Sequence, residues 1–299
     1  MEHIIETKPL QFSFGKQQIL HDISLQVPKG SIYGFLGPNG AGKSTTIKIL
    51  LGLLQVPAGS VQLFGEDIRQ KRIAILARTG NLIENPSLYG QLSARDNLRI
   101  MRTLYPAPKS RIDEVLELVG LEKATNKKVK RFSMGMKQRL GVAKALFHDP
   151  EILILDEPVN GLDPGGIQEM RALFGRLQQK GKTIFLSSHL LSEIEKTCSH
   201  LGIIKEGSLL FQGPIQDLQS STRRIVRLKT DQNEMVQELL KNSLQKESYV
   251  QKEWIELEVK DDLDFEQVLG TLVPSSARVL DIDREAPSLE DLFLDITKN

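Results

Sequence analysis

Eight consecutive residues restrict this chain more than any other feature: Gly37-Pro38-Asn39-Gly40-Ala41-Gly42-Lys43-Ser44 fits the pattern glycine, four residues, glycine, lysine, then serine or threonine. The glycines let the backbone bend until successive N–H groups point inward at phosphate oxygens. A following helix adds the positive end of its dipole, and the lysine supplies a point charge. Such a loop needs a strand before it and a helix after it. Ser31 to Leu36 is a short apolar run suited to a buried strand, and Lys43 to Leu54 has helical length and composition. The expected phosphate contacts are Gly37, Pro38, Asn39, Gly40, Ala41, Gly42, Lys43, Ser44 and Thr45, with the Ser44 hydroxyl also offered to Mg²⁺.

Two further strand ends carry groups that suit phosphate chemistry. Ile152 to Leu155 is an apolar run that ends in Asp156 and Glu157, so two carboxylates stand at the carboxyl end of a buried strand. Asp156 is assigned to the metal and Glu157 to activation of an attacking water. Thr183 to Ser188 ends in His189, which places that imidazole at the same sheet edge, within reach of a γ-phosphate. The other histidines, His3, His21, His148 and His200, have no such placement and read as surface or satisfied polar residues.

Alternating residues from Gln18 to Val27 predict one half-buried strand in an antiparallel opening layer. Ser93 to Leu104, Ile112 to Leu121 and Met136 to Phe147 have helical spacing, giving a helical insert over about 87–146. The apolar runs around a helix near Ile167 to Gln179 then predict a parallel sheet. From Thr222 the order is strand (Arg224 to Leu228), helix (Met235 to Leu244), strand (Trp254 to Val259), helix (Phe265 to Leu272), strand (Arg278 to Ile282) and helix (Leu289 to Ile296). Residues 1–220 and 221–299 are therefore expected to form a nucleotide-binding domain and a small α+β domain.

Charge supports that division. The chain has 39 basic and 38 acidic residues; from Ser221 onward there are 11 basic and 17 acidic, leaving 28 against 21 before it. The two parts are thus about +7 and −6. No cluster of Lys and Arg with interleaved aromatics marks a nucleic-acid footprint, and Lys127 to Arg131 reads as a solvated connector. Cys198 is the single cysteine, which excludes an internal disulfide framework and suits a reducing compartment. No run of 18 apolar residues is present, and Met1 to Pro9 lacks the build of a secretory signal. Cys198 and Trp254 read as packing residues. Neither Ser44 nor Ser133 has a recognisable His/Asp relay at suitable spacing, so no covalent step is expected.

A second glycine-bearing segment lies between the phosphate loop and the acidic pair: Phe132-Ser133-Met134-Gly135-Met136. It resembles the Leu-Ser-Gly-Gly-Gln signature of ATP-binding cassette (ABC) ATPases, keeping Ser133 and Gly135 and departing at the other three positions. Gly161-Leu162-Asp163-Pro164 resembles that family's D-loop, His189 matches its switch histidine, and the resemblance covers about Thr7 to Gly213. The fold it implies is α/β: a phosphate-loop ATPase with an antiparallel β subdomain, a RecA-like parallel core and a helical subdomain, followed by the small C-terminal α+β domain. Phe14 stands where the family often stacks a tyrosine on adenine. Glu84 occupies the position of a family glutamine that faces magnesium, and adds a negative charge there.

The resemblance also implies a working assembly. Two such domains pair head to tail, so Ser133 and Gly135 of one copy, with Asp163 nearby, complete the MgATP site built on Lys43 of the other. The partners implied are a second copy or a related ATPase, and separate transmembrane permease subunits that meet the surface near Glu84 and the insert up to Leu104. No nucleic acid is expected, and the place of work is the cytoplasmic face of the membrane. The Ile-Glu-Asn-Pro context and Met136 resemble the branch of bacitracin-resistance and lantibiotic-immunity exporters. A cassette ATPase acting on ribosomes or DNA is the alternative, disfavoured by the single cassette and the lack of a basic arm. A phosphate-loop kinase would leave Ser133, Gly135 and His189 unexplained. The acidic tail is read as an appendix that extends the dimer interface, in preference to a regulatory domain.

Overall fold

The alternating stretch expected to form one strand forms two, because the chain changes sheets within it. The computed structural model describes residues 2–220, 224–259, 262–285 and 289–298. Four strands open the chain: β1 (His3–Thr7), β2 (Leu10–Phe14), β3 (Gln17–Ile23) and β4 (Gln26–Pro28). β3 closes an antiparallel hairpin with β2, whereas β4 pairs antiparallel with β1. At the crossing the Thr7 hydroxyl donates to the Ile23 carbonyl at 3.1 Å and accepts from the Leu25 N–H at 2.8 Å. Those backbone groups would otherwise lose their partners where the ladder breaks.

β5 (Ile32–Leu36), with all five residues buried, leads through the glycine loop into α1 (Lys43–Leu50). The helix is shorter than its composition suggests. Gly52, at φ 63°, takes the left-handed conformation that ends it, and the N–H groups of Gly52 and Leu53 donate to the carbonyls of Ile49 and Lys48 at 2.9 and 2.8 Å. β6 (Val61–Leu63) and β7 (Glu66–Asp67) then extend the opening sheet to the order β4-β1-β6-β7, and α2 (Ile68–Ala77) follows. β8 (Thr79–Leu82) comes next, a strand that the sequence reading did not anticipate. Its run of four residues, Thr79-Gly80-Asn81-Leu82, is polar and short, so only its pairing with the buried strand beside it reveals it.

Three helices occupy the middle of the chain: α3 (Ala94–Leu104), α4 (Ser110–Leu118) and α5 (Met134–Leu146). Serines set two of their starts. The Ser93 and Ser133 side chains accept from the N–H groups of Asp96 and Met136, satisfying donors that a first helical turn leaves open. β9 (Ile152–Asp156), α6 (Pro164–Gln179), β10 (Thr183–Ser188), the short α7 (Leu191–Glu195), β11 (His200–Lys205) and β12 (Ser208–Pro214) complete the six-stranded sheet, in the order β12-β11-β5-β10-β9-β8. β8, β9, β10, β5 and β11 run parallel, in keeping with the parallel sheet expected from the apolar runs of β9 and β10. Every residue of β5, β9 and β10 is buried, which is the signature of a sheet covered on both faces. Tyr33 and Phe185 stack across it at 5.4 Å, and Phe35 packs on the same Phe185 ring at 5.5 Å. Cys198 and Ile194 close over Gly34, so the thiol is a packing group, and burial pushes its pKa up.

The chain separates into two compact units between Gly213 and Pro214. The second begins with α8 (Ile215–Ser220); Ser221 lies outside the described residues. It continues with β13 (Arg224–Thr230), α9 (Asn233–Leu244), β14 (Ser248–Gln251), β15 (Trp254–Val259), α10 (Asp262–Leu272), β16 (Val279–Glu285) and α11 (Leu289–Lys298). Its antiparallel sheet has the order β14-β15-β13-β16, and β14 is an unanticipated addition. Val226, Leu228, Ile255, Leu257 and Val259 share a core with Val236 and Leu240 of α9 and Phe265 and Val268 of α10.

Candidate active site

Parallel strands bring all their carboxyl ends to one edge of a sheet, and that edge collects the chemistry here. The register pairs Leu36 with Ser188, Asp156 with Ser187, and Leu82 with Leu155. The glycine loop, the acidic pair, His189 and Glu84 therefore leave the sheet side by side. A cavity of about 620 Å³ opens there, lined by residues that include Lys43, Ser44, Thr45, Asp156 and Glu157.

The loop conformation follows from its glycines and its lysine. Gly42 has φ 108°, a backbone angle that side chains on L residues rarely allow, and a Cβ there would lie 2.6 Å from Leu20. Lys43 is buried, and its ammonium group donates to the carbonyls of Gly37 at 2.6 Å and Pro38 at 3.1 Å. Burial lowers its pKa, and the charges of Glu157 and Asp156 act in the opposite direction. A cation is thus fixed over the loop. Asn39 and Gly40 line the cavity from the loop itself.

Asp156 is the centre of a polar cluster. The Ser44 hydroxyl donates to its Oδ2 at 2.9 Å and the Ser187 hydroxyl to its Oδ1 at 2.5 Å. Ser187 in turn accepts from the Glu157 N–H at 3.0 Å, so one serine holds both members of the acidic pair. Glu157 sits at φ 49°, in the left-handed region that costs a non-glycine residue about 1 kcal/mol or more. His189 Nδ1 lies 2.9 Å from Glu157 Oε2, a hydrogen bond whose donor is set by the imidazole tautomer. The Gln138 side chain, buried on α5, donates to the Glu157 carbonyl at 3.1 Å. Sequence reasoning missed Gln138 and gave Ser187 no role. The available signals were a polar residue on the buried side of a helix, and two serines ending an apolar strand.

The remaining expected residues are placed less uniformly. Ser133 caps α5, and Met134 beside it, 55% exposed, reaches the same cavity. Gly135 lies against Leu162 and Gly161 against Met134, so the signature segment and the D-loop of one chain touch each other. Asp163 caps α6, its Oδ1 accepting from the Gly166 N–H at 3.0 Å, and it is not among the cavity residues. Phe14 is 53% exposed and stands edge-on to Phe12 at 5.0 Å. It does not line the cavity either, but its strand partner Gln17 does. Glu84 lines the cavity, yet its carboxylate meets the Lys48 ammonium at 2.8 Å and makes no bond to Ser44 or Asp156. His148 hydrogen-bonds the Thr79 carbonyl through Nε2 at 3.2 Å and stacks on Tyr105 at 4.3 Å, while its buried Nδ1 has no hydrogen-bond partner among the described residues, so the expected polar satisfaction is met at one ring nitrogen only.

Ser44 and Asp156 present hard oxygen donors close together, and among the described residues no group of three or more His, Cys, Asp or Glu side chains forms a self-sufficient metal site. That donor set suits magnesium, which binds through one or two protein oxygens together with substrate phosphates.

The family model for "ABC transporter" matches residues 20–160. The chain is 44% identical to the bacitracin transport ATP-binding protein BcrA of Bacillus licheniformis over 98% of its own length and 97% of that protein. It is 43% identical to the lantibiotic transport ATP-binding protein SrtF of Streptococcus pyogenes, over 70% of this chain and 90% of that one. Among solved structures, an ATP-binding subunit of an ABC transporter superposes with a TM-score of 0.66 at 29% identity, covering 72% of this chain and 92% of that chain. CbiO1 of Clostridium perfringens, at 24% identity and a TM-score of 0.67 over 82% of this chain and 97% of that chain, shares the fold. These relatives are transport proteins, which favours the transporter reading over one on ribosomes or DNA. With the phosphate loop, acidic pair and histidine joined at one sheet edge, the chain belongs to the ABC transporter family, as an ATP-binding and ATP-hydrolysing subunit.

Proposed function

We propose that this chain binds MgATP between two copies of itself, or one copy and a related ATPase, and drives separate transmembrane permease subunits from the cytoplasmic face of an exporter. The observation that carries the hydrolytic reading is the Glu157 carboxylate, held by His189 at 2.9 Å beside Ser44, Asp156 and Lys43. Lys43 and the loop N–H groups bind the β- and γ-phosphates, with Pro38, Ala41 and Thr45 completing the cradle around Gly37, Asn39, Gly40 and Gly42. Ser44 and Asp156 hold magnesium, which when bound offsets phosphate charge. Glu157 takes the proton of the attacking water, while His189 keeps that carboxylate aimed. Ser133 and Gly135 at the start of α5 offer a hydroxyl and an unhindered backbone to the γ-phosphate bound by the second copy. Asp163, by capping α6, fixes the loop between the two sites, and the exposed Phe14 ring is free to stack on adenine.

Full-length similarity to a bacitracin transport subunit, together with similarity to a lantibiotic transport subunit, supports efflux of antimicrobial peptides as the work performed. Among the described residues no helix is long and apolar enough to cross a membrane, so the link to the membrane runs through partners. The test is to purify Glu157→Gln with MgATP from native cells in gentle detergent and identify what accompanies it. A polytopic membrane protein in stoichiometric amount is expected. Ribosomes or DNA-bound proteins in its place overturn the exporter reading and leave the ATPase intact.

A further inference from the structure

The Lys48–Glu84 pair joins two parts of the site. Lys48 lies on α1 four residues after Ser44, so the two side chains share one helix face and stand about one turn, roughly 6 Å, apart along the axis. Glu84 reaches Lys48 from the loop after β8, with its backbone at φ 54°, and its Oε1 lies 2.8 Å from the ammonium. Both ends of the link are anchored. The Lys48 carbonyl takes part in the turn that ends α1, while beyond Glu84 the loop is held by α5: Pro86 packs on Gly141, and Lys144 donates to the Ser87 carbonyl at 2.6 Å. The pair itself is open to solvent, with side-chain exposures of 36% and 62%, and is therefore weak. Glu84 also lines the cavity that holds Ser44 and Asp156.

We propose that Lys48 is a positioning residue that holds the Glu84 carboxylate one helical turn away from the Ser44–Asp156 position, so that a divalent cation entering there competes with the ammonium group for Glu84. The inference rests on the proposed placement of the cation at Ser44 and Asp156. A carboxylate in place of an amide at Glu84 then becomes a controlled charge: neutralised by Lys48 while the cation is away, and released to it on arrival. Because an exposed pair shifts a competing equilibrium only modestly, the effect of Lys48 on cation affinity is about two- to fivefold.

The experiment is a Mn²⁺ titration followed by electron paramagnetic resonance, on the full chain saturated with a non-hydrolysable ATP analogue. It compares wild type, Lys48→Met, Lys48→Arg, Glu84→Gln and the double variant Lys48→Met/Glu84→Gln. Lys48→Met is expected to tighten Mn²⁺ binding two- to fivefold, Lys48→Arg to match wild type, Glu84→Gln to weaken binding, and the double variant to equal Glu84→Gln. Lys48→Gln serves as a second charge-removing variant should the methionine disturb folding. Equal tightening by Lys48→Met with and without Glu84 means that the lysine acts only as a distant charge, and overturns the proposal. So does unchanged Mn²⁺ binding in Lys48→Met when Glu84→Gln weakens it. Unchanged binding in Glu84→Gln itself overturns both the proposal and the placement of Glu84 near the cation. Loss of Mn²⁺ dependence in Ser44→Ala separately tests that underlying placement.

Discussion

The two units of the chain are built on sheets of opposite logic. In the first, parallel strands buried on both faces deliver Leu36, Asp156, Ser188 and Leu82 to one edge, and the groups that meet in the nucleotide site stand at those strand ends or in the segments that directly follow them. In the second, antiparallel strands alternate. Val226 and Leu228 face the helices, while Arg227 faces outward, bonded to Glu256 at 2.9 Å and within 3.8 Å of Asp283. Its strand ends point in alternating directions, so no single edge gathers side chains. The comparison teaches that strand direction decides whether a buried sheet also becomes a site. It also shows in the polar groups: in the first unit Ser44 and Ser187 bond Asp156 at the edge, and in the second Arg227 pairs across strands with Glu256 and Asp283.

The sharpest way to break this contrast is to remove the chemistry from the first unit and leave its architecture. Glu157→Gln is expected to lower ATP turnover by about 10²-fold or more while ATP binding persists, checked by steady-state phosphate release and by nucleotide binding in parallel. Next in size are the two cores. Phe185→Ala, on the central strand β10 of the parallel sheet, is expected to cost about 3–5 kcal/mol, and Leu257→Ala, in the antiparallel unit, about 2–5 kcal/mol. Calorimetry with and without MgATP distinguishes them: only the first substitution lowers the transition that nucleotide raises, and a common shift for both would show that the units unfold as one. Ser187→Ala removes the bonds that hold Asp156 and the Glu157 N–H. A loss of about 1–3 kcal/mol, read as a roughly ten- to hundredfold fall in kcat/KM, is expected with little change in the second unit. The smallest effect belongs to Arg227→Ala, whose partly exposed pairs contribute about 1 kcal/mol or less; denaturant unfolding should show a small change and ATP turnover none.

Much of the site was legible because its chemistry is contiguous. The glycine loop and its lysine, the carboxylates that end an apolar strand, and the histidine after two serines each announce themselves within a few residues. Gln138 was not legible, since a buried glutamine on a helix has no local pattern that reveals the carbonyl it will meet. β8 and β14 were missed for a related reason: Thr79-Gly80-Asn81-Leu82 and Ser248-Tyr249-Val250-Gln251 are short and largely polar, and pairing with a neighbour makes them strands. The split of Gln18 to Val27 into β3 and β4 depends on Thr7, a residue far from the break in sequence but bonded to both sides of it.

The amino-acid order alone determined the phosphate loop, the helix that follows it, the alternation of buried strands with helices, and the identity of the acidic pair. Each of these is written in neighbouring residues, through backbone freedom, hydrophobic period and the spacing of charged groups. Only the tertiary structure decided which groups meet: Ser44 with Asp156, Ser187 with both carboxylates, His189 with Glu157, and Lys48 with Glu84. Those bonds join residues up to 112 positions apart. The register of parallel strands sets them, and the packing of side chains on both sheet faces sets that register, which no local run of residues encodes.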